Sequence, residues 1–111
     1  MFPLVLLRVR GRRSGELRIV PLVYYTDGDD VILVASSFGR AKHPAWYLNL
    51  VANPEVELTA GGVTGRYRAR EVEGAERDRL FALARQNYAG YGNYEVMAGE
   101  RRIPVLALRV A

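Results

Sequence analysis

Cysteine is missing from this 111-residue chain, and histidine and lysine occur once each. Without cysteine the chain cannot form disulfide bonds, thiolate metal sites or a cysteine nucleophile. A single histidine and no cysteine argue against zinc, so we predict no bound metal. Chains without disulfides are typical of reducing compartments, and we therefore expect a cytoplasmic protein.

Long apolar runs are also missing. The sequence has no apolar stretch of about 18 residues, so it predicts no membrane-spanning helix. Residues 1–15 are apolar first and basic second, which is the reverse of a secretory signal. No repeat, low-complexity tract or linker divides the chain, and its length predicts one domain over residues 1–111.

Basic residues outnumber acidic ones by 16 to 12, which gives a formal net charge of +4 at pH 7. All of the basic residues except Lys42 are arginine. Arginine recognises phosphate and carboxylate groups with two parallel hydrogen bonds, so an anionic small molecule is one interpretation. A GC-rich genome, which favours arginine codons, is the other. The charge would also suit nucleic acid, but no base-reading motif is present, and we predict no nucleic-acid partner.

The apolar pattern predicts six strands and at least two helices in the order β-β-β-α-β-β-α-β. The predicted strands are 4–9, 17–25, 31–36, 55–60, 63–70 and 104–110, and the predicted helices are 43–52 and 73–86. Residues 88–98 read as a further short helical or turn-rich segment. So many strands in a short chain favour a mostly antiparallel, barrel-like sheet with helices covering its ends.

A glycine-flanked turn, "GRRSG" at 11–15, places two arginines side by side. Its glycines permit positive φ angles and expose backbone N–H groups, and Arg12, Arg13 and Ser14 surround them. Arg18 follows shortly after. The four side chains could bind a phosphate or a polycarboxylate. The alternative is a solvated hairpin tip, and the residue types alone leave both interpretations open.

A second candidate site follows the buried strand 31–36, where Ser36 and Ser37 precede a loop and a helix start. Strand ends that meet a helix N-terminus often bind ligands, and the two serines could donate hydrogen bonds to a ring carbonyl or a phosphate. His43, the only histidine, is a capping or surface residue or a base. Trp46 is either a core residue or a cofactor-stacking one.

Three tyrosines, Tyr88, Tyr91 and Tyr94, recur every three residues within "NYAGYGNYE". On a helix this spacing places them along one stripe, where they could form a wall against an aromatic ligand. A packing edge is the alternative. No paired catalytic carboxylates or activated nucleophile stand out, so the chain is a binding module or an enzyme whose cofactor performs the chemistry.

Four segments carry a resemblance that runs from about residue 4 to residue 110: "GRRSGELRIVPL", "DGDDVILVASSFGRAKHPAWYLNLVANPEV", "YAGYGNY" and "RRIPVLALRV". In these segments the chain resembles the actinobacterial nitroreductases that depend on the deazaflavin coenzyme F-420. The resemblance implies a split β-barrel related to flavin-nucleotide-binding oxidoreductases. It also implies hydride transfer from the reduced deazaflavin to a small-molecule acceptor, which would be a nitroaromatic, a quinone or an enone.

The resemblance also implies roles for individual residues. Arg12, Arg13, Ser14 and Arg18 match positions that bind the phosphate and oligoglutamate tail of the coenzyme. The positions that would line the deazaflavin ring and its linker are Pro21, Ala35, Ser36, Ala45 and Trp46. The three tyrosines match residues on the substrate side, and we assign them the catalytic role of acting on the acceptor.

Two departures accompany the resemblance. Ser37 and Phe38 stand where family members commonly carry lysine and then glycine, so one cationic contact is missing. The chain also starts almost at its first strand. The alternatives are an FMN-dependent oxidoreductase on the same barrel and a non-catalytic deazaflavin-binding protein. As for its assembly, we expect a monomer or a homodimer.

Overall fold

The computed structural model describes residues 3–36, 43–87 and 103–111, which form seven strands and two helices. In chain order the elements are β1 (Leu4–Arg10), β2 (Leu17–Val23), β3 (Tyr25–Asp27), β4 (Asp30–Val34), α1 (Ala45–Ala52), β5 (Glu55–Ala60), β6 (Val63–Glu71), α2 (Gly74–Asn87) and β7 (Val105–Val110). None of these helices is long and apolar enough to cross a membrane.

The strands form one antiparallel sheet in the order β2-β1-β5-β6-β7-β4-β3. Its two edge strands, β2 and β3, follow each other in the chain and are separated only by Tyr24. The sheet must therefore curl until its edges meet at this corner. The result is the half-barrel that the sequence predicts.

The strand predicted over residues 17–25 is divided in the structure, so the prediction of six strands is wrong by one. β2 pairs with β1 at one edge of the sheet, whereas β3 pairs with β4 at the other. The chain must change direction between them, and it does so at Tyr24, whose N–H still donates to the carbonyl of Pro3 over 3.3 Å. The break at Tyr24 results from closure of the sheet, and the local apolar pattern of the sequence does not indicate it.

The main core lies on the concave side of the sheet. Its buried residues come from β1, β4, β5, β6 and β7, and Leu50 of α1 packs among them. Leu50 is 1% exposed, whereas Val51, which the sequence places on the same apolar face, is 55% exposed. The helix begins at Ala45, with the extended Pro44 as its N-cap, two residues later than predicted.

A second core lies on the convex side, where α2 covers β4 and β7. Leu80, Phe81 and Ala84 pack there against alternate residues of the two strands. Residues 31–34 of β4 are therefore all buried, as their continuous apolar run predicts, and Asp30 at the start of the strand is buried beside Arg109. The expectation that helices cover the ends of the barrel is wrong for α2, which covers a face instead. Leu83 is half-buried and packs against this second core as well.

Candidate functional site

The turn at residues 11–15 is closed by its own hydrogen bonds. Gly11 donates to the carbonyl of Glu16 over 2.8 Å, and Gly15 donates to the carbonyl of Gly11 over 2.9 Å. The Oγ atom of Ser14 accepts from the N–H of Glu16 over 3.1 Å. Gly15 adopts a φ of +74°, and a Cβ atom on Gly11 would lie 3.0 Å from Ser14 Oγ. The positive φ favours glycine at position 15, and a side chain at position 11 would crowd the Ser14 hydroxyl that accepts the bond from Glu16.

Helix α1 holds this turn in place through two asparagines that lie one helical turn apart. The Oδ1 atom of Asn49 accepts from the backbone N–H of Arg12 over 3.0 Å and from its Nη1 atom over 3.1 Å. Asn53 donates from Nδ2 to the carbonyl of Arg10 over 3.2 Å. Arg12 is thus docked against a helix, which a hairpin tip surrounded by solvent would not be.

An open pocket of about 360 Å³ lies between the turn, β2 and α1. It is lined by Gly11, Arg12, Arg13, Ser14, Arg18, Val20, Ala45, Trp46 and Asn49. Six of the residues predicted for cofactor binding are therefore brought together in one place. The turn contributes the charged wall and α1 contributes the wall with the only tryptophan.

The positive charge of this pocket is offset by very few acidic side chains. Within the described ranges, Arg12 and Arg13 have no acidic partner, and Arg18 has one, since its Nη2 atom lies 3.7 Å from Glu16 Oε2. That pair is largely exposed, with 54% and 73% of the two side chains accessible, so solvent and salt screen it. Three guanidinium groups around one open pocket favour an anionic ligand that carries several negative charges.

Three other predicted residues lie outside the lining of this pocket. Pro21 is exposed, because it alternates with Val20 and its side chain therefore stands on the opposite face of β2. Ala35 is completely buried in the main core, and its N–H donates to the carbonyl of Pro104 over 2.9 Å. Ser36 follows it and is half-buried.

The remaining predicted site residues, Ser37, Tyr88, Tyr91 and Tyr94, lie outside the described residues. Their assignments therefore stay predictions.

Asn49 is the pocket residue that the sequence reasoning missed. It is 7% exposed and is one of three buried polar or charged residues in the described part of the chain. A signal was present, because Asn49 follows Ala45 by four residues and Trp46 by three, and this spacing places all three on one helix face. Because Ala45 and Trp46 were predicted to contact the ligand, the same prediction could have been made for Asn49.

The other side of α1 is fastened to the sheet by Tyr47. Its hydroxyl donates to Oε1 of Glu71 in β6. Burial, the hydrogen bond and the charge of Glu71 raise the pKa of Tyr47 to about 12. The ring of His43 packs at a tilt on that of Tyr47, with 4.9 Å between the centroids. The helix that carries Trp46 and Asn49 is thus held from both sides.

Known proteins resemble this chain in sequence and in fold. A sequence profile of the F420H(2)-dependent quinone reductases matches residues 1–109. The chain belongs to this family. An F420H(2)-dependent quinone reductase of Mycobacterium tuberculosis is 37% identical over 109 residues, which cover 96% of this chain and 72% of that protein.

Two solved structures resemble this chain in fold as well as in sequence. Each has a TM-score of 0.87 and 38% identity and covers 96% of this chain. One is described as an F420-H2 dependent reductase, of which 94% is covered. The other is described as a domain-swapped dimer, of which 80% is covered. The predicted split barrel is confirmed.

Family membership makes the chain an oxidoreductase that uses coenzyme F-420, as its resemblance predicts. The residues present fit such a coenzyme. Arg12 and Arg13, which lack acidic partners in the described ranges, line an open pocket beside Trp46. An anionic group and an aromatic ring would both find suitable contacts there.

Proposed function

We propose that the chain binds reduced coenzyme F-420 in the pocket between the turn, β2 and α1 and that hydride passes from it to a quinone. The observation that carries the proposal is the group of three arginines around that pocket, two of them without acidic partners in the described ranges. The quinone is the acceptor named for the family. Nitroaromatics and enones are further candidate acceptors, because they too gain charge on oxygen when hydride arrives.

In this proposal the turn binds the anionic end of the coenzyme. Arg12, Arg13 and Arg18 pair with its phosphate and carboxylate groups. The hydroxyl of Ser14 already accepts one bond from Glu16 and keeps its own proton to donate.

Helix α1 supplies the ring side, where Ala45 and Trp46 border the deazaflavin. When bound, the reduced coenzyme would supply the hydride, and the residues of this pocket would hold and position it. For Pro21, Ala35, Ser36 and Ser37, ring contact rests on the sequence resemblance. Pro21 and Ala35 could contribute only backbone atoms, since their side chains point away from the pocket or into the core.

The predicted tyrosines Tyr88, Tyr91 and Tyr94 act on the acceptor in this proposal. A phenol near the acceptor oxygen would stabilise the charge that develops there.

A homodimer is the assembly we favour, because a relative of 38% identity is described as a domain-swapped dimer. Sedimentation of the purified chain would separate a dimer from a monomer.

The decisive experiment compares two cofactors. The protein is titrated with coenzyme F-420 and with FMN while the fluorescence of Trp46, its only tryptophan, is followed. We expect tighter binding of coenzyme F-420, because its phosphate and several carboxylates engage three arginines where FMN offers one phosphate. Added salt should weaken this binding, since exposed charges are screened over about 10 Å at 0.1 M. Equal or tighter binding of FMN would overturn the assignment of the pocket.

Activity is then measured with a quinone. The loss of reduced-deazaflavin absorbance is followed after a quinone is added to the loaded protein, with a nitroaromatic and an enone in parallel. Binding without turnover on all three acceptors would identify a non-catalytic coenzyme-binding protein instead.

A further inference from the structure

The hydrogen-bond partners of Asn49 determine which atom of its side-chain amide is the oxygen. One of its atoms lies 3.0 Å from the backbone nitrogen of Arg12 and 3.1 Å from the guanidinium Nη1 of the same residue. Both partners can only donate hydrogen bonds, so the atom between them must be the oxygen. The oxygen therefore fixes the main chain and the side chain of Arg12 at the same time.

This contact orients a cation without neutralising it. Other arginines of the chain are held by carboxylates, as Arg70 is by Glu76 with two bonds of 2.9 Å. Arg12 is held by a neutral oxygen, and its other guanidinium N–H groups have no partner within the described residues. Its full charge and most of its donors are available to a ligand in the pocket that it lines.

We propose that Asn49 is a positioning residue for Arg12 and that its neutrality is the property the site requires. An aspartate at position 49 could make the same two hydrogen bonds, but it would form an ion pair with Arg12. That pair would compete with the phosphate or carboxylate of the ligand. This inference rests on the proposed function, because it assigns the anionic end of coenzyme F-420 to Arg12.

The test uses the full chain and four variants: Asn49→Ala, Asn49→Asp, Arg12→Met and the double variant Asn49→Ala/Arg12→Met. Asn53→Ala is the matched control, because Asn53, the C-cap of α1, binds the end of β1 at the carbonyl of Arg10, whereas Asn49 binds Arg12 in the turn. Dissociation constants for coenzyme F-420 and for inorganic pyrophosphate are measured by fluorescence at several salt concentrations. Thermal unfolding of each variant is recorded beside them.

We expect Asn49→Ala to weaken coenzyme binding about tenfold, which corresponds to about 1.4 kcal/mol. The effect should disappear when Arg12 is already methionine, so that the double variant binds like Arg12→Met within about twofold. Asn49→Asp should bind more weakly than Asn49→Ala and respond less to salt, although it preserves both hydrogen bonds. Asn53→Ala should weaken coenzyme binding less than Asn49→Ala does, even if both variants lower the unfolding temperature by the same amount, because the side chain of Asn53 binds Arg10 and not Arg12.

Two results would overturn the positioning role. One is an additive double variant, since Asn49 would then act independently of Arg12. The other is an Asn49→Asp variant that binds as tightly as wild type. If Asn49→Ala does not fold, the positioning role is tested by coenzyme binding of Asn49→Asp compared with wild type. Failure of the proposed function is distinguishable, because the wild type would then bind pyrophosphate and not the coenzyme, and the variants would still be compared on pyrophosphate.

Discussion

Tyr47 in α1 donates a hydrogen bond to Glu71 in β6, and this contact joins the pocket helix to the sheet on the side away from the pocket. On the pocket side the same helix is held by Asn49 and Asn53, which bind the turn and the end of β1. The helix has only eight residues, and a helix that short has little stability of its own. Its position, and that of Trp46, therefore depends on these contacts.

The first prediction concerns the ionisation of Tyr47. Its pKa is raised from 10.0 to about 12, by burial first and then by Glu71. A group with a raised folded-state pKa contributes stability that is present below the unfolded value and is lost as the pH rises through the folded value. We therefore expect Tyr47→Phe to lower the free energy of unfolding by about 1 kcal/mol or less at neutral pH. The difference between the two proteins should vanish between pH 10 and pH 12.

The measurement is a titration of tyrosinate absorbance, with wild type compared against Tyr47→Phe. The late-titrating component should be missing from the variant. Tyr67→Phe, which removes the hydroxyl of a half-buried tyrosine of β6, is the control and should keep that component. A difference curve centred near the ordinary value of 10 would mean that neither the burial of Tyr47 nor its bond to Glu71 persists in solution.

The sequence predicted the local features of this fold better than the features that depend on how the sheet closes into a barrel. β5 lies at its predicted bounds, Glu55–Ala60, because the glycines Gly61 and Gly62 directly after it mark its end locally. The division between β2 and β3 was missed, since it arises where the two edges of the sheet meet. The alternation in the sequence of β6 is also local, and in the structure Arg66 and Arg68 are exposed while Ala69 between Arg68 and Arg70 is buried.

The site shows the same contrast. The charged turn and Trp46 could be predicted from residue types and motif, and they do line one pocket. Asn49 was missed although its spacing places it on one helix face with Ala45 and Trp46, because asparagine is usually exposed and only the structure shows the turn packed on it. Pro21 was assigned to the ring by resemblance, and only the register of β2 shows that its side chain faces the other way.

The second prediction tests the charged wall of the pocket. Arg13→Glu should weaken binding of coenzyme F-420 by about 2–4 kcal/mol, because it removes a charge-assisted contact and adds repulsion. Arg66→Glu is the matched control, since it changes the net charge equally at an exposed position on β6. It should leave binding within about threefold of wild type at moderate salt. Equal losses in both variants would indicate a general effect of charge, and normal binding by Arg13→Glu would make Arg13 a solvated turn residue.

The third prediction concerns a buried cation in α2. Arg77 is 7% exposed, and its Nε and Nη2 atoms donate to the carbonyl of Ile103 over 3.3 and 2.8 Å. Its guanidinium also lies 4.5 Å from the centre of the Phe81 ring. Arg77→Met keeps much of the apolar contact but leaves a buried carbonyl without these donors, which typically costs about 1–3 kcal/mol.

Urea unfolding measures this cost. Arg79→Met is the control, because Arg79 lies on the same helix in an exposed pair with Asp27, and its loss should destabilise the protein less. An Arg77→Met variant as stable as wild type would mean that water replaces the guanidinium at the carbonyl of Ile103.

The fourth prediction is that His43 is not a catalytic base. Its ring packs on Tyr47 at the start of α1, and a hydride donor with its own reactive carbon needs no imidazole. His43→Ala should therefore change turnover by no more than about tenfold, which is a barrier change of about 1.4 kcal/mol. A thousandfold loss with the coenzyme still bound would show that His43 supplies the proton that accompanies hydride transfer.

The last prediction concerns Tyr88, Tyr91 and Tyr94, whose roles rest on the sequence. Hydride transfer leaves negative charge on an oxygen of the acceptor, and one well-placed hydrogen-bond donor is typically worth about 2.7–4 kcal/mol in such a transition state. A single Tyr→Phe change at the right position should thus slow turnover about a hundredfold or more. A stripe with a period of three drifts around a helix, so its hydroxyls cannot all point at one atom. We therefore expect a large effect in one or two of the three variants, and coenzyme affinity within about twofold of wild type in all of them.

The three single variants are assayed at saturating coenzyme with a quinone, a nitroaromatic and an enone, and Tyr67→Phe again serves as the control. Comparison across acceptors separates two functions of the stripe. A donor to the developing charge should affect all three classes, because each places charge on oxygen, whereas a tyrosine that only packs against the acceptor should affect them according to shape. Full activity of every variant would make the stripe a packing surface. Weaker coenzyme binding with unchanged turnover per bound coenzyme would instead place the tyrosines at the deazaflavin.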